Sequence, residues 1–244
     1  VAVGGDGTAH EVVNGLAGSD TAFGLVPVGT GNDLAMALGV PSDVDAALDV
    51  IARGTMHRID LGHFDDDAWF ANSLGLGFEA QVTLESRKVQ RLSGFAVYLW
   101  AVLRALAGLK CPDLVLRVDG VELTGRRLLV SVGNGPRVGG GFLLTPDARN
   151  DDGVLDLCLV EGMGRLRVLQ TLPKAISGTH VTAPGIRMLR GRLIEIGSRE
   201  GFPFHADGEV IDVARKRLRI EIRPAMLKAL VGASPGAATR GAAP

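Results

Sequence analysis

The stretch VAVGGDGTAHEVVNGL, residues 1–16, sets one aspartate, Asp6, among three glycines between an apolar run and an amphipathic one. Val1–Val3 is expected as a short buried strand that stops at Gly4-Gly5. Thr8, with Glu11 three residues on, has the form of a capping box opening a helix whose apolar stripe is Val12, Val13 and Leu16. A second strand, Phe23–Val28, runs into Gly29-Thr30-Gly31-Asn32-Asp33, and a short helix with Leu34, Ala35 and Leu38 ends at Gly39 and Pro41. Ser42 and Asp45 start a third helix that runs to Arg53 and closes on Gly54. Strand, helix, strand, helix, helix is the order of a parallel α/β layer.

An aspartate at a strand-to-helix turn sits beside free backbone N–H groups and the positive end of a helix, where glycines let a ligand approach. Such a turn cradles anions, phosphate above all. A carboxylate beside a polyphosphate is repulsive unless a divalent cation lies between them, and Mg²⁺ takes one or two carboxylates plus phosphate oxygens. Asp33 repeats the arrangement at the second turn, and in a parallel sheet both turns open on one edge. The pattern is neither of the common nucleotide loops. GxGxxG fails at His10 and at Leu34, and no GK[ST] occurs. On the residues alone, a phosphate site and a pair of plain tight turns both remain open.

From about Arg58 the pattern changes to short alternating runs and turn dipeptides. LVLRVDGVEL (114–123) is a hairpin over Asp119-Gly120, while GVLDLCLVEG, GRLIEIGS and RKRLRIEIRP alternate with period two. One apolar helix is expected over Gly94–Leu109, and a short terminal helix over Ala225–Val231. The expected domains are a nucleotide-binding α/β domain over 1–57, an antiparallel β-sandwich over 58–223, the terminal helix packed back on the first domain over 224–232, and a disordered tail over 233–244.

Composition bounds the rest. Of 244 residues, 46% are hydrophobic and 22% charged, a globular balance. Cys111 and Cys158 form no CxxC pair, and the five histidines show no ligand spacing, which disfavours a disulfide scaffold and a zinc site. Residues 1–60 hold two basic and eight acidic side chains, net −6, and the remainder 24 basic and 19 acidic, net +5. An acidic front suits cations and a basic back suits anionic lipid, but on charge alone two ordinary solvated surfaces are the preferred reading. No signal peptide or membrane span is expected, since the longest apolar run, Phe95–Leu109, is interrupted by Arg104. The chain starts without Met, inside a strand, and reads as a fragment. GASPG (232–236) matches GxSxG but lacks a strand before it, so it is no nucleophile elbow.

GGDGTAHEVVNGL followed by GLVPVGTGNDLAMALGVP resembles the diacylglycerol kinase catalytic-domain family of bacterial-type lipid kinases, related to sphingosine, ceramide and NAD kinases. The likeness continues through NSLGLGFEAQV, VGNGPRVGGGFLLTPDARNDDGVLDL and HADGEV, in order. It implies an NAD kinase/diacylglycerol kinase-like two-domain fold whose first βα units, roughly 60 residues, lie ahead of this chain. It also implies ATP as co-substrate with Mg²⁺, and transfer of the γ-phosphate to a lipid hydroxyl, first of all that of diacylglycerol. Alternatives are an NAD-kinase-type enzyme, a sphingoid or other lipid kinase, and a non-catalytic nucleotide- or lipid-binding relative.

The carry-over assigns nucleotide contacts to Gly5, Asp6, Gly7, Thr8, Glu11, Thr30, Asn32, Asp33 and Asp60, and catalysis to Asp6 and Glu209. Glu209 would act as general base. Read from residues alone, Asp207-Gly208-Glu209 is a type I′ turn with an exposed Glu. Asp151, Asp152 and Asp156 read alone as a Mg²⁺ or Ca²⁺ site or as a solvated turn. The resemblance implies a structural Mg²⁺ there, held by Asp152 and the carbonyls of Arg149 and Val154. Asp60 can also be read as a strand-end residue at the domain junction. Met36 stands where many relatives carry Arg. The helix at 94–109 is either a core helix or a wall of the acyl-chain groove. The implied setting is cytoplasmic, peripheral to the inner face of the cell membrane, with a lipid partner at that surface, no nucleic acid, and a homodimer as one open arrangement.

Overall fold

Two parallel strands, β1 (Ala2–Gly4) and β3 (Leu25–Pro27), pair Ala2 with Leu25 and Gly4 with Pro27, and both end in glycine turns that point the same way. The structure is a computed structural model that describes residues 1–65, 67–89 and 95–232. Helix α1 (Asp6–Leu16) follows β1, and β2 (Ala22–Phe23) precedes β3 across a break at Gly24. Helices α2 (Asp33–Ala37) and α3 (Val44–Arg53) complete the front layer. Asp43, rather than Ser42, caps α3 by accepting the Ala46 N–H at 2.9 Å. The capping box expected at Thr8 does not form. The helix starts at Asp6 with Gly5 as cap residue and no side-chain cap, because the Gly4-Gly5 turn has already redirected the chain. The first-turn N–H groups are therefore left without a side-chain acceptor.

The rest is a ten-stranded mixed sheet built from β2, β4 (Met56–Phe64), β5 (Ala68–Phe70), β6 (Ser73–Gly77), β7 (Asp113–Val118), β8 (Val121–Gly133), β9 (Leu155–Glu161), β10 (Ile186–Gly191), β11 (Leu193–Ala206) and β12 (Glu209–Leu230). Strand β6 pairs with β8, β8 with β7, β7 with β11, and β11 with β6 again, so four strands close on themselves. The long strands bend to allow this, β11 through a register shift between Gly197 and Phe202. Phe64, Phe70, Leu76, Leu116, Leu157 and Phe204 fill the enclosed core, with Phe64 and Phe204 edge to face at 5.8 Å. Both expected hairpin turns occur, Asp119-Gly120 and Asp207-Gly208 taking positive φ at both positions.

Strand β9 is buried on both faces: Leu155, Leu157 and Leu159 enter the enclosed core, and Cys158 and Val160 face outward. What covers them is a helical layer of α4 (Phe78–Ser86), α5 (Phe95–Ala107) and α6 (Arg165–Ser177), followed by a short 3₁₀ turn (Thr179–Thr182). Of these helices α5 stands out in the sequence as an apolar run. Helix α4 has no preferred apolar side, whereas α6 is mostly polar and holds Pro173 but turns Val168, Leu172 and Ala175 to one face.

The terminal helix expected at Ala225–Val231 is a strand. Residues 209–230 form one strand that bulges at Ala225, where φ is +57°, and then resumes. Leu227 and Ala229 are buried on alternate positions, pairing with Ile59 and His57 of β4, while Lys228 pairs in parallel with Ala22 of β2. The alternation that buries Leu227 and Ala229 suits a strand, and edge pairing supplies their backbone partners. The last strand thereby joins the core formed by Val13, Phe23, Leu25, Leu34 and Val50. The tail at 233–244 lies outside the described residues.

Candidate active site

The Asp6 turn and the Asp33 turn meet the Asp207-Gly208-Glu209 hairpin, about 200 and 170 residues further along the chain. Gly7 makes this possible: a Cβ there would stand 2.6 Å from Glu209 Oε1, so only glycine lets the glutamate reach the first turn of α1. Glu209 also forms an ion pair with Arg87, which follows α4. It is therefore not merely an exposed turn residue.

Asp6 Oδ1 accepts the Leu34 N–H at 3.3 Å, so the first turn is fastened to the second. Asp33 accepts the Gly140 N–H at 2.9 and 3.1 Å, holding the loop between β8 and β9 against the same turn. Burial, partly countered by the Leu34 N–H, raises the Asp6 carboxyl above the usual carboxylate range. Burial and the neighbouring charge of Asp6 push Asp33 up to about 7. Burial, then Asp33 and Asp6, raise the Tyr98 hydroxyl as well. The charge of Asp207 adds to the burial that raises Asp6, and a half-buried carboxyl facing a buried one across two turns is a pair suited to a divalent cation. Among the described residues no cluster of three or more His, Cys, Asp or Glu is arranged to hold a metal, so the pair would need phosphate oxygens to complete a shell.

The other sequence-assigned residues divide. Thr30 lies at the mouth of the cavity beside Gly31, while Thr8 and Glu11 are exposed on α1. Gly5 packs against Gly29. Asn32 spends its amide on Gly29, accepting its N–H at 3.0 Å and donating to its carbonyl at 2.9 Å, so it shapes the turn in which it sits at φ +56°. Asp60 is buried and lines neither cavity, although it is bonded to Asn134 and Asn150 of the broader cleft described below. Its two oxygens accept the N–H groups of Ala225 at 2.8 Å and Gly153 at 2.7 Å, tying the β12 bulge to the loop before β9. Arg149, Asp152 and Val154 do share that loop. However, Arg190 is ion-paired to Asp152, Asp152 also accepts the Val154 N–H, and the Arg149 guanidinium points to Asp151. A Mg²⁺ held by Asp152 and the carbonyls of Arg149 and Val154 would share the Asp152 carboxylate with Arg190.

Three site residues escaped the sequence reading. Asp207 accepts four hydrogen bonds, from the Ala71, Asn72 and Ser73 N–H groups and from His10 Nδ1 at 3.1 Å. Burial opposes the charge of His10, but the bond to Asp207 outweighs it and its pKa is raised. Glu79 and His205, both buried, join at 3.1 Å. The signal available was the DG dipeptide preceding Glu209, whose first residue tolerates left-handed backbone and can bond neighbouring N–H groups.

Behind this polar mouth lies a cavity of about 410 Å³ that runs inward under the helical layer. Its deep walls are apolar: Phe78, Val97, Val102, Leu128, Phe142 and Val160. The inner face of α5 is thus both core and cavity wall. A broader cleft of about 1140 Å³ opens on the other side of the Asp33 turn, with Met36 and Arg137 in its lining. Arg137 provides a cation near Asp33, on the same side as Met36. No helix among the described residues is long and apolar enough to cross a membrane.

This geometry has counterparts. The family model described as the YegS C-terminal NAD kinase beta sandwich-like domain matches residues 72–231, and the diacylglycerol kinase catalytic domain matches residues 1–64. The protein named diacylglycerol kinase in Mycobacterium tuberculosis (strain ATCC 25618 / H37Rv) is 32% identical over 212 residues, covering 84% of this chain and 68% of the relative. A Pseudomonas putida protein named "Probable lipid kinase YegS-like" is 34% identical over 236 residues, covering 93% and 75%. A crystal structure of a diacylglycerol kinase from Bacillus anthracis str. Sterne superposes with a TM-score of 0.77 at 25% identity, covering 95% of this chain and 77% of that one. An NAD kinase from Archaeoglobus fulgidus in complex with ATP, at 16% identity and a TM-score of 0.50 over 93% and 75% of the two chains, shares the fold alone. With a two-domain NAD kinase/diacylglycerol kinase-like fold and both domain models matched in order, the chain belongs to the diacylglycerol kinase catalytic-domain family of lipid kinases, phosphotransferases whose acceptor is an alcohol.

Proposed function

We propose that the protein transfers the γ-phosphate of ATP to the hydroxyl of a lipid, with diacylglycerol the first acceptor to test because relatives carry that name. One observation supports this above the others: a carboxylate-lined mouth opens into an apolar cavity, which suits a reacting hydroxyl on a hydrocarbon body. The same lining speaks against a soluble dinucleotide acceptor.

In this reading the turns at Gly5–Thr8 and Thr30–Asp33 present backbone N–H groups to the phosphates. Asp6 and Asp33 would hold Mg²⁺, whose role when bound is to offset charge on the phosphoryl oxygens. Glu209 accepts the proton of the lipid hydroxyl as the oxygen–phosphorus bond forms and the bond from phosphorus to the β–γ bridging oxygen breaks, ADP leaving with that electron pair. Arg87 steadies Glu209 before the lipid enters and releases it to the hydroxyl. The acceptor works at the membrane surface, where its chains are, and the cytoplasm supplies the ATP.

The test is γ-labelled ATP with the full-length protein and mixed micelles of diacylglycerol. Label in the organic-extractable product is the expected result. Label in NADP, or none in any product while ATP is bound, overturns it.

A further inference from the structure

Glu79 sits in the first turn of α4 and is 7% exposed. One oxygen, Oε1, is 3.1 Å from His205 Nε2. The other, Oε2, is buried without a hydrogen-bond partner in a residue that lines the cavity. His205 Nδ1 accepts the Gly208 N–H at 3.3 Å, so the ring proton is on Nε2 and donates to Oε1. Glu79 is thereby linked through one imidazole to the turn that carries Glu209. The contact is built in tightly: a Cβ on Gly75 would fall 2.4 Å from both Oε1 and Nε2.

A buried acceptor without a donor costs free energy in a folded chain. Proteins keep such an atom where something else supplies the donor. Glu79 lines one cavity together with Glu209 of the mouth and with Phe78, Val97 and Val102 of the apolar wall. A ligand part that reaches it belongs to the headgroup. In diacylglycerol the oxygens beside the reacting hydroxyl are esterified, and esters only accept.

We propose that Glu79 Oε2 receives a second hydrogen-bond donor on the lipid headgroup, a free hydroxyl or ammonium beside the hydroxyl that is phosphorylated. The inference rests on the lipid-kinase reading above and narrows it. The favoured acceptors are single-chain lipid alcohols with two adjacent donors, such as monoacylglycerols and long-chain amino alcohols. Diacylglycerol is accepted with a water left on Oε2.

Glu79→Gln separates this role from a structural one. The amide oxygen still accepts from His205, which preserves the link to the Glu209 turn, but the cavity then meets an N–H donor in place of an acceptor. The full-length protein and the variant are assayed with Mg-ATP against 1-oleoylglycerol, sphinganine and 1,2-dioleoylglycerol in mixed micelles. The wild type is expected to favour the two-donor lipids in kcat/KM by roughly tenfold or more, as for one charge-assisted hydrogen bond. The variant is expected to reverse the order in favour of dioleoylglycerol. Equal kcat/KM for all three in the wild type, or a variant that lowers all three by one factor, overturns the proposal. No label in any lipid while nucleotide binds overturns the lipid-kinase reading itself, and this inference with it.

Discussion

Asp6 and Asp33 approach the same point beside Gly31, where a Cβ would stand 2.6 Å from Asp6 Oδ2 and 3.6 Å from Asp33 Oδ2. The two acids come from different turns, and burial, followed by this close approach, raises the carboxyl of Asp33. Asp33, pushed up to about 7 by burial and by Asp6, holds its proton below that pH and releases it above. A divalent cation needs the ionised form. Titration calorimetry with Mg-ATP should therefore show affinity rising with pH and levelling above about 7. The stability of the ligand-free protein runs the other way. A carboxyl with a raised folded pKa loses stability as pH climbs from the ordinary carboxyl range through about 7. Asp33→Asn should remove that loss and weaken Mg-ATP binding at pH 8. Binding that is flat across this window would argue against a cation between the pair.

Glu209→Gln tests the base. The amide keeps the shape and the neighbourhood of Gly7 and Arg87 but cannot take a proton. Turnover should fall by about 10²–10⁴, the usual contribution of general-base catalysis, while nucleotide affinity changes little. Near-normal turnover would leave Glu209 only a structural part.

Much of this was legible because local chemistry and tertiary placement agree. The Asp6 and Asp33 turns could be read from glycines at strand ends, and the Asp119-Gly120 and Asp207-Gly208 hairpins from the demand for positive φ. The errors fall where tertiary partners override local pattern. The chain at 225–231 looks helical alone and is a strand because β2 and β4 offer it two edges. Helix α4 has no apolar stripe, and α6 has a narrow one on a mostly polar helix interrupted by Pro173. Glu79 and His205 were invisible because they come together only through a β11–α4 contact 126 residues apart in sequence. The Arg190 partner of Asp152, 38 residues on, was likewise invisible in the loop alone.

Asp207 should be a stability hinge for the site. It is 7% exposed and satisfies three consecutive N–H groups, Ala71, Asn72 and Ser73, besides His10. Asp207→Ala strands those donors, and the loss should be on the order of 3–5 kcal/mol. Urea unfolding would report it as a lower midpoint with an unchanged slope. Asp207→Asn, which keeps one accepting oxygen, should lose less. Equal losses for the two variants would mean that the side chain's volume, not its acceptors, matters.

Asp60 makes the last case, because its position and its first reading differ. Its Oδ1 and Oδ2 accept from Ala225 and Gly153, its own N–H donates to the Asn150 carbonyl at 2.7 Å, and its carbonyl receives Asn134 Nδ2 at 2.8 Å. One residue of β4 thus latches the loop before β9 and the β12 bulge, where Ala225 holds a left-handed backbone that costs about 1 kcal/mol or more for a residue with a Cβ. Asp60→Ala releases both N–H groups, so amide exchange at Gly153 and Ala225 should quicken well ahead of exchange in β9 or in β11. Asp60→Asn can accept with one oxygen only, and it should free one of the two amides while protecting the other. If both amides stay as protected in Asp60→Ala as in the wild type, other contacts hold the bulge and the latch is not Asp60.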